Sequence, residues 1–305
     1  MSHDPDIHLA GREKSRAALS SVVAAVGLTA LKLSVGIVTG SLGILAEAVH
    51  SGLDLVAAII TLLAVRISGQ PADKGHPYGH GKVENLSALF ETLLLLATCV
   101  WIVYEAVERL FFRPVHVDAT IWAFIIMAVS IIVDISRSRL LYRVARKYHS
   151  QALEADALHF STDIWSSAVV ILGLVCVVIA DRAPQLAFLH KADSVAALFV
   201  AGIVVYISVK LGIRSIRPLL DTAPEGLAEQ VTAAVAAVPG VVDCHNVRVR
   251  YSGAHVFVDA HVSVDGRQTL AEAHRLTEEI EMEICRILPQ ADVTVHPEPA
   301  ADPLP

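Results

Sequence analysis

The residues of this chain best suited to chemistry occur as a repeat. AEAVHSGLD (residues 46–54) and ADALHFSTD (residues 155–163) each read Ala, an acid, Ala, a branched aliphatic, His, three residues, Asp. Positions i and i+4 share a helix face. His50 with Asp54, and His159 with Asp163, therefore each project an imidazole and a carboxylate in one direction. Two such faces brought together offer two nitrogen and two oxygen ligands, a set that suits tetrahedral Zn²⁺. Both copies sit in strongly apolar sequence, where ionisable groups are costly and mark ion paths through a bundle interior. HxxxD also occurs at His255/Asp259 and His261/Asp265. Those pairs lie in alternating, strand-like sequence, where i and i+4 are about 13 Å apart, and are read as chance matches. Glu47 and Asp156, one turn before each His, read equally well as pathway charges or as helix-end acids.

A second cluster is PADKGHPYGHGK, residues 71–82. Asp73, His76 and His80 are spaced +3 and +4, among Gly and Pro residues that favour a tight turn. Three such ligands can hold a divalent metal with one position left to water; the alternative is a solvated polar loop. A third group, His245, His261, His274, His296 and Glu298, is scattered over the last third of the chain. Nothing local brings these residues together, and solvated surface histidines are the default reading.

The elements that must position these residues are legible from hydropathy. The chain has 305 residues, 54% hydrophobic and only 18% charged. Apolar windows long enough to cross a bilayer fall at 17–38, 42–67, 86–111, 119–135, 152–179 and 195–213. The first is too long for a cleaved signal and lacks a small-residue cleavage pattern. Basic residues cluster at Arg12, Lys14 and Arg16, at Arg66, Lys74 and Lys82, from Arg137 to Lys147, and at Lys210, Arg214 and Arg217. The opposite side has only Arg109, Arg113, Arg182 and Lys191. The positive-inside rule then places both termini and the last third in the cytoplasm. The net charge of −7 argues against a nucleic-acid partner. Four cysteines show no CxxC spacing, and a disulfide framework is not expected in a reducing compartment.

After 220 the pattern changes to that of a soluble α+β domain. Leu227, Val231, Val235 and Val238 mark a helix over 225–238. Val247, Val249 and Tyr251, then Val256 to Val264, alternate with polar residues and predict a hairpin turning at 252–254. Leu276, Ile280, Ile284 and Leu288 mark a second helix, and Val293 and Val295 a last short strand. The order αββαβ suits a small open sheet with helices on one face. The expected organisation is a transmembrane domain over 1–220, a cytoplasmic domain over 221–298, and a Pro-rich disordered tail over 299–305.

Taken together these stretches resemble the cation diffusion facilitators, a family of six-span divalent-metal/proton antiporters with a cytoplasmic ferredoxin-like domain. The resemblance covers residues 12–298 and rests on AEAVHSGLD, QPADKGHPYGHGKVE, EADALHFSTD, DSVAAL and LLD. The bacterial ferrous-iron/zinc exporter branch is the most similar. The resemblance implies a transport site at His50, Asp54, His159 and Asp163 and a loop site at Asp73, His76 and His80. It also implies a cytoplasmic metal site at His245, His261, His274, His296 and Glu298 that ties two domains into a homodimer. Lys82 and Asp221 match a charge pair that holds the helices near the dimer axis. Glu298 stands where the family often has Asp, and His50 where iron/zinc relatives have Asp. Asp134, a further acid in an apolar segment, is read either as part of a proton path or as a partner of Arg137.

The expected function is proton-coupled efflux of a divalent cation, foremost Zn²⁺, across a bacterial inner membrane. Added imidazole favours Zn²⁺ over Mn²⁺. The alternatives are a channel or uniporter, or an exporter mainly of Fe²⁺, Cd²⁺, Co²⁺ or Mn²⁺. An intramembrane zinc protease would need HExxH, which is absent; no enzymatic activity is expected. Zn²⁺ bound in the loop and cytoplasmic sites is expected to be structural or regulatory.

Overall fold

A computed structural model describes residues 5–111, 121–182, 192–253, 255–289 and 291–300. They form two compact units: one of residues 1–70 and 83–215, the other of residues 71–82 and 216–305.

The first unit is helical: α1 (Pro5–Thr39), α2 (Leu42–Ser68), α3 (Lys82–Phe111), α4 (Ile121–Tyr148), α5 (Gln151–Arg182) and α6 (Ala192–Leu219). Among the described residues, four stretches are long and apolar enough to cross a membrane, over Leu9–Thr39, Glu47–Ser68, Lys82–Glu108 and Leu198–Leu219. The other two of the six expected, α4 and α5, are 28 and 32 residues long and carry charges among their apolar residues: Asp134 and Arg137 on one, Asp156 and Asp163 on the other. Gly40 closes α1 in the left-handed region (φ 65°), where a side chain would be strained. Ser41 then caps α2, its hydroxyl accepting from the Ile44 N–H at 3.4 Å. α1 packs on α2 and α4, and α5 on α2 and α4. The buried faces of α2 and α5 are rich in alanine (Ala57, Ala58 and Ala64; Ala152, Ala155 and Ala157), which lets helices in a bilayer approach closely. Val49, Leu53, Val56, Ile59 and Leu63 are exposed along the opposite side of α2, a face suited to lipid.

At one end of this unit Glu84 is nearly inaccessible. It accepts from Lys14 (2.7 Å), Ser68 (2.8 Å) and Ser150, so that one carboxylate ties together α1, α2, α3 and the α4–α5 turn.

The second unit contains α7 (Leu227–Ala236), β1 (Val241–Ser252), β2 (His255–Val264), α8 (Leu270–Ile287) and β3 (Asp292–Pro299). β2 is central, antiparallel to β1 and parallel to β3. The parallel pair is joined by the crossover helix α8, whose start carries a Thr269/Glu272 capping box. Val231 and Val235 of α7, Val256, Val258 and Val262 of β2, and Ile280 and Ile284 of α8 form the core. The alternation predicted for the hairpin is observed, although Ala254 of its turn lies outside the described residues. The expected tail needs one correction. Pro299 pairs with Val264 and the Ala300 N–H donates to the Val264 carbonyl, so the sheet extends past 298; residues 301–305 lie outside the described set. All four cysteines are free.

Candidate metal centres

The two repeats meet. His159 Nε2 lies 3.1 Å from Asp54 Oδ1 and 3.6 Å from Asp163 Oδ2. One ligand atom from each of these three residues falls within a 4.8 Å set. His50 stands slightly wider, with Nε2 3.9 Å from Asp163 Oδ1 and 4.0 Å from Asp54 Oδ1. Four ligands at Zn–N and Zn–O lengths on a tetrahedron are about 3.3 Å apart, so modest inward movement of His50 would complete the set. His159 and Asp54 are buried, while His50 is the partly exposed member, 37% accessible at its side chain.

A cavity reaches this cluster from between α1, α2, α4 and α5. Two cations that the sequence reading had not assigned to the site line it. Lys32 of α1 donates to Ser51 Oγ (2.7 Å) and Glu47 Oε2 (3.2 Å). Arg137 of α4 lies 3.5 Å from Asp134, donates to Ser21 Oγ at 2.9 and 3.3 Å, and stacks 3.5 Å over the Phe160 ring. Of the two readings open for Asp134, its pairing with Arg137 is therefore observed. Both cations were visible in sequence as charges inside apolar helices, which is a functional signal by itself.

The loop cluster is also gathered, in the second unit. Asp73 Oδ1 lies 3.3 Å from His76 Nδ1, Asp73 Oδ2 lies 3.5 Å from His80 Nε2, and the two rings are 4.3 Å apart. The backbone N–H groups of His76 (2.6 Å) and Gly75 (2.8 Å) donate to Asp73 Oδ1. They hold its carboxyl below the usual carboxylate range, ready as a ligand at neutral pH. The loop is seated on the β1–β2 hairpin. Tyr78 lies edge-on to Phe257 (5.3 Å) and 4.0 Å from the Arg250 guanidinium, and Gly81 abuts the Ser252 carbonyl.

Sheet register assembles the third cluster. His245 pairs with His261 across β1–β2, and His261 with His296 across β2–β3, so three imidazoles line up on the outer face. Glu298 joins them, 2.8 Å from His261 Nδ1, 3.4 Å from His245 Nε2 and 3.7 Å from His296 Nε2. The His261 bond, with the neighbouring imidazoles, holds the Glu298 carboxyl below its ordinary value. Asp243, missed in sequence, lies 3.0 Å from His245 Nδ1 and fixes that ring. His274 is not brought to this row. It stands exposed on α8, 3.7 Å from Glu278. Lys82 and Asp221 do meet, at 2.7 Å. Asp221 sits in the left-handed region (φ 54°), which Asp tolerates, just after α6.

Comparison with known proteins identifies the family of the chain. Residues 18–220 match the model of the cation efflux transmembrane domain, and residues 223–300 that of the cation efflux protein cytoplasmic domain. The cation-efflux pump FieF of Cronobacter sakazakii is 32% identical over 302 residues, spanning 99% of this chain and 96% of that protein. FieF of Klebsiella pneumoniae is 30% identical over 294 residues, spanning 95% and 94%. Among solved structures, CzrB in its zinc form is 25% identical with a TM-score of 0.25, covering 28% of this chain and 98% of that one. The chain thus belongs to the cation diffusion facilitator family: it is an integral membrane cation-efflux transporter, and not an enzyme.

Proposed function

We propose that this protein exports a divalent cation, Zn²⁺ first among them, in exchange for protons, through the site formed by His50, Asp54, His159 and Asp163. The observation that carries this reading is the convergence of Asp54, His159 and Asp163 inside the helical unit, with His50 beside both carboxylates. The charge of the cavity supports a divalent cargo. Counted formally, with all four carboxylates ionised and the imidazoles neutral, Glu47, Asp54, Asp134 and Asp163 against Lys32 and Arg137 leave an excess of two negative charges. A divalent ion cancels that excess.

In this reading α4 and α5 join the other four helices as membrane spans, six in all, with both termini in the cytoplasm of a bacterial inner membrane. His and Asp bind metal only when deprotonated, so metal and protons compete for one site. Zn²⁺ loads from the cytoplasm, helix rocking exposes it to the other side, and protons entering there displace it. The second unit, a ferredoxin-like domain, pairs two copies. Metal held by His245, His261, His296 and Glu298 steadies that homodimer. Metal at Asp73, His76 and His80 orders the loop, and the Lys82–Asp221 pair sits at the end of α6.

The test is zinc-driven proton movement in proteoliposomes, read with a zinc dye and a pH dye together, across Zn²⁺, Fe²⁺, Cd²⁺, Co²⁺ and Mn²⁺. Zinc flux that acidifies the compartment the metal leaves supports antiport; zinc flux without a proton signal at any imposed gradient makes the protein a channel or uniporter.

A further inference from the structure

The exposed faces of α1 and α4 change character along their length, and they do so in step. On α1 the exposed residues Val23, Leu19, Arg16 and Arg12 recur at helical spacing, apolar first and basic last. On α4 the same spacing carries Ile132, Ser136, Arg139, Arg143 and Arg146, all exposed. The two helices run antiparallel side by side. Arg137 donates to Ser21 Oγ at 2.9 Å, and Lys147 lies 2.8 Å from Glu13. Ala17 and Ala18 pack with Leu141 and Ala145 between those two contacts. The basic ends of both faces therefore lie together at one end of the helical unit.

This surface lacks the acids that would neutralise it. From residue 9 onward α1 has one carboxylate, Glu13, and α4 has one, Asp134. Each is already paired, Glu13 with Lys147 and Asp134 with Arg137. Arg12, Arg16, Arg139, Arg143 and Arg146 have no carboxylate partner among the described residues; Arg146 donates to the Tyr142 hydroxyl, which is neutral. Exposed like charges one turn apart repel, so the surface favours a counter-anion. Its neighbours say where that anion sits. α1 is long and apolar enough over Leu9–Thr39 to cross a membrane. Where a lipid-facing surface gives way to basic side chains, it meets the headgroup layer. From Arg139 to Arg146 the helix rises about 10 Å, comparable with a headgroup layer about 5–8 Å deep.

We propose that the adjoining basic faces of α1 and α4 dock the phosphate groups of anionic phospholipids. The proposal rests on the reading of α4 as a membrane span. A guanidinium fork meets two phosphate oxygens at once. A phospholipid is the phosphate source that also covers the apolar residues one to two turns away. A headgroup held by both faces links α1 to α4, two of the helices that wall the metal cavity. The charge of the leaflet is then a partner of the transport domain in addition to its cargo.

The experiment places the full chain in phosphatidylcholine vesicles with spin-labelled phosphatidylglycerol or spin-labelled phosphatidylcholine as the probe. The motionally restricted part of each spectrum gives its association constant. One basic side chain near an anionic surface changes binding by about fivefold, so the anionic probe should be preferred by about that factor. The preference should fall in about 1 M salt, where screening is complete beyond about 3 Å. It should also fall in Arg12→Gln/Arg16→Gln and in Arg139→Gln/Arg143→Gln/Arg146→Gln, and survive in Arg12→Lys/Arg16→Lys. Equal association of the two probes, or a preference untouched by both sets of glutamine substitutions, would overturn the proposal. So would displacement of the anionic probe by inorganic phosphate beyond that by chloride at equal ionic strength, the mark of a site for a free anion. Amide hydrogen exchange over 121–135 in the same vesicles checks the span separately. Slow exchange there without a lipid preference overturns the lipid surface alone, whereas fast exchange overturns the span and the lipid surface with it.

Discussion

Gly81→Ala should undock the metal-binding loop from the hairpin while leaving the helices intact. A Cβ built on Gly81 collides with the Ser252 carbonyl oxygen and falls 2.5 Å from its carbon, with the Gly253 nitrogen at 3.0 Å. Those are backbone atoms of a paired strand end, so they cannot turn aside as a flexible side chain would. Relief requires the loop to lift by about an ångström. That displacement pulls Tyr78 from its edge contact with Phe257 and from beneath the Arg250 guanidinium. An aromatic pair contributes about 0.5–1.5 kcal/mol, and an exposed cation–π contact about 0.5–1 kcal/mol. Together they amount to about 1–2.5 kcal/mol, or roughly a 5- to 60-fold change in the docking equilibrium at 1.4 kcal/mol per tenfold. Amide hydrogen exchange over 71–82 and 250–257 should accelerate by that factor, and zinc affinity at Asp73, His76 and His80 should fall with it if the docked loop is the binding form. Tyr78→Leu should reproduce most of the effect, and the double variant should be less than additive because both changes release one contact. Wild-type exchange over both segments in Gly81→Ala would refute the docking argument.

Replacing Asp54 or Asp163 with Ala removes one of the ligand set and part of the charge that balances the ion; metal affinity at that site should fall more than about 100-fold, with normal helix content by circular dichroism, and near wild-type flux would reject the assignment. His50→Asp substitutes oxygen for nitrogen at the partly exposed ligand and should shift preference toward Fe²⁺ or Mn²⁺, read as relative flux across the metal series. Glu298→Gln should lower the metal-free thermal midpoint of the chain at neutral pH. Because the Glu298 carboxyl lies below its ordinary value in the folded state, its contribution is present above about pH 4.3 and is lost as pH falls through the lower folded value. The melting curves of the two proteins should therefore converge in acid and separate above it.

Much of this protein is written in short-range pattern. The pairs His50/Asp54 and His159/Asp163 are legible because a helix repeats every 3.6 residues, so spacing alone places both groups on one face. The apolar windows and the αββαβ order follow from hydropathy over ten to twenty residues. The Asp73/His76/His80 loop is local too, closed by turn residues within 71–82. Tertiary structure decided what spacing could not: which distant faces meet and what surrounds them. Lys32 and Arg137 were visible as charges in apolar helices, but only the packing of α1 and α4 beside α2 and α5 makes them walls of the same cavity. Glu91 finds the donor for its buried carboxylate on another helix, at Thr61 of α2. His245, His261, His296 and Glu298 form a row because of strand register, a property of pairings up to 35 residues apart, while His274, on a crossover helix, is left outside it. The close approach of Gly81 to Ser252 joins segments separated by most of the transmembrane sequence. Local backbone periodicity can be read along a chain. Side-chain partners across helices and strands are fixed only when burial and register bring those elements together.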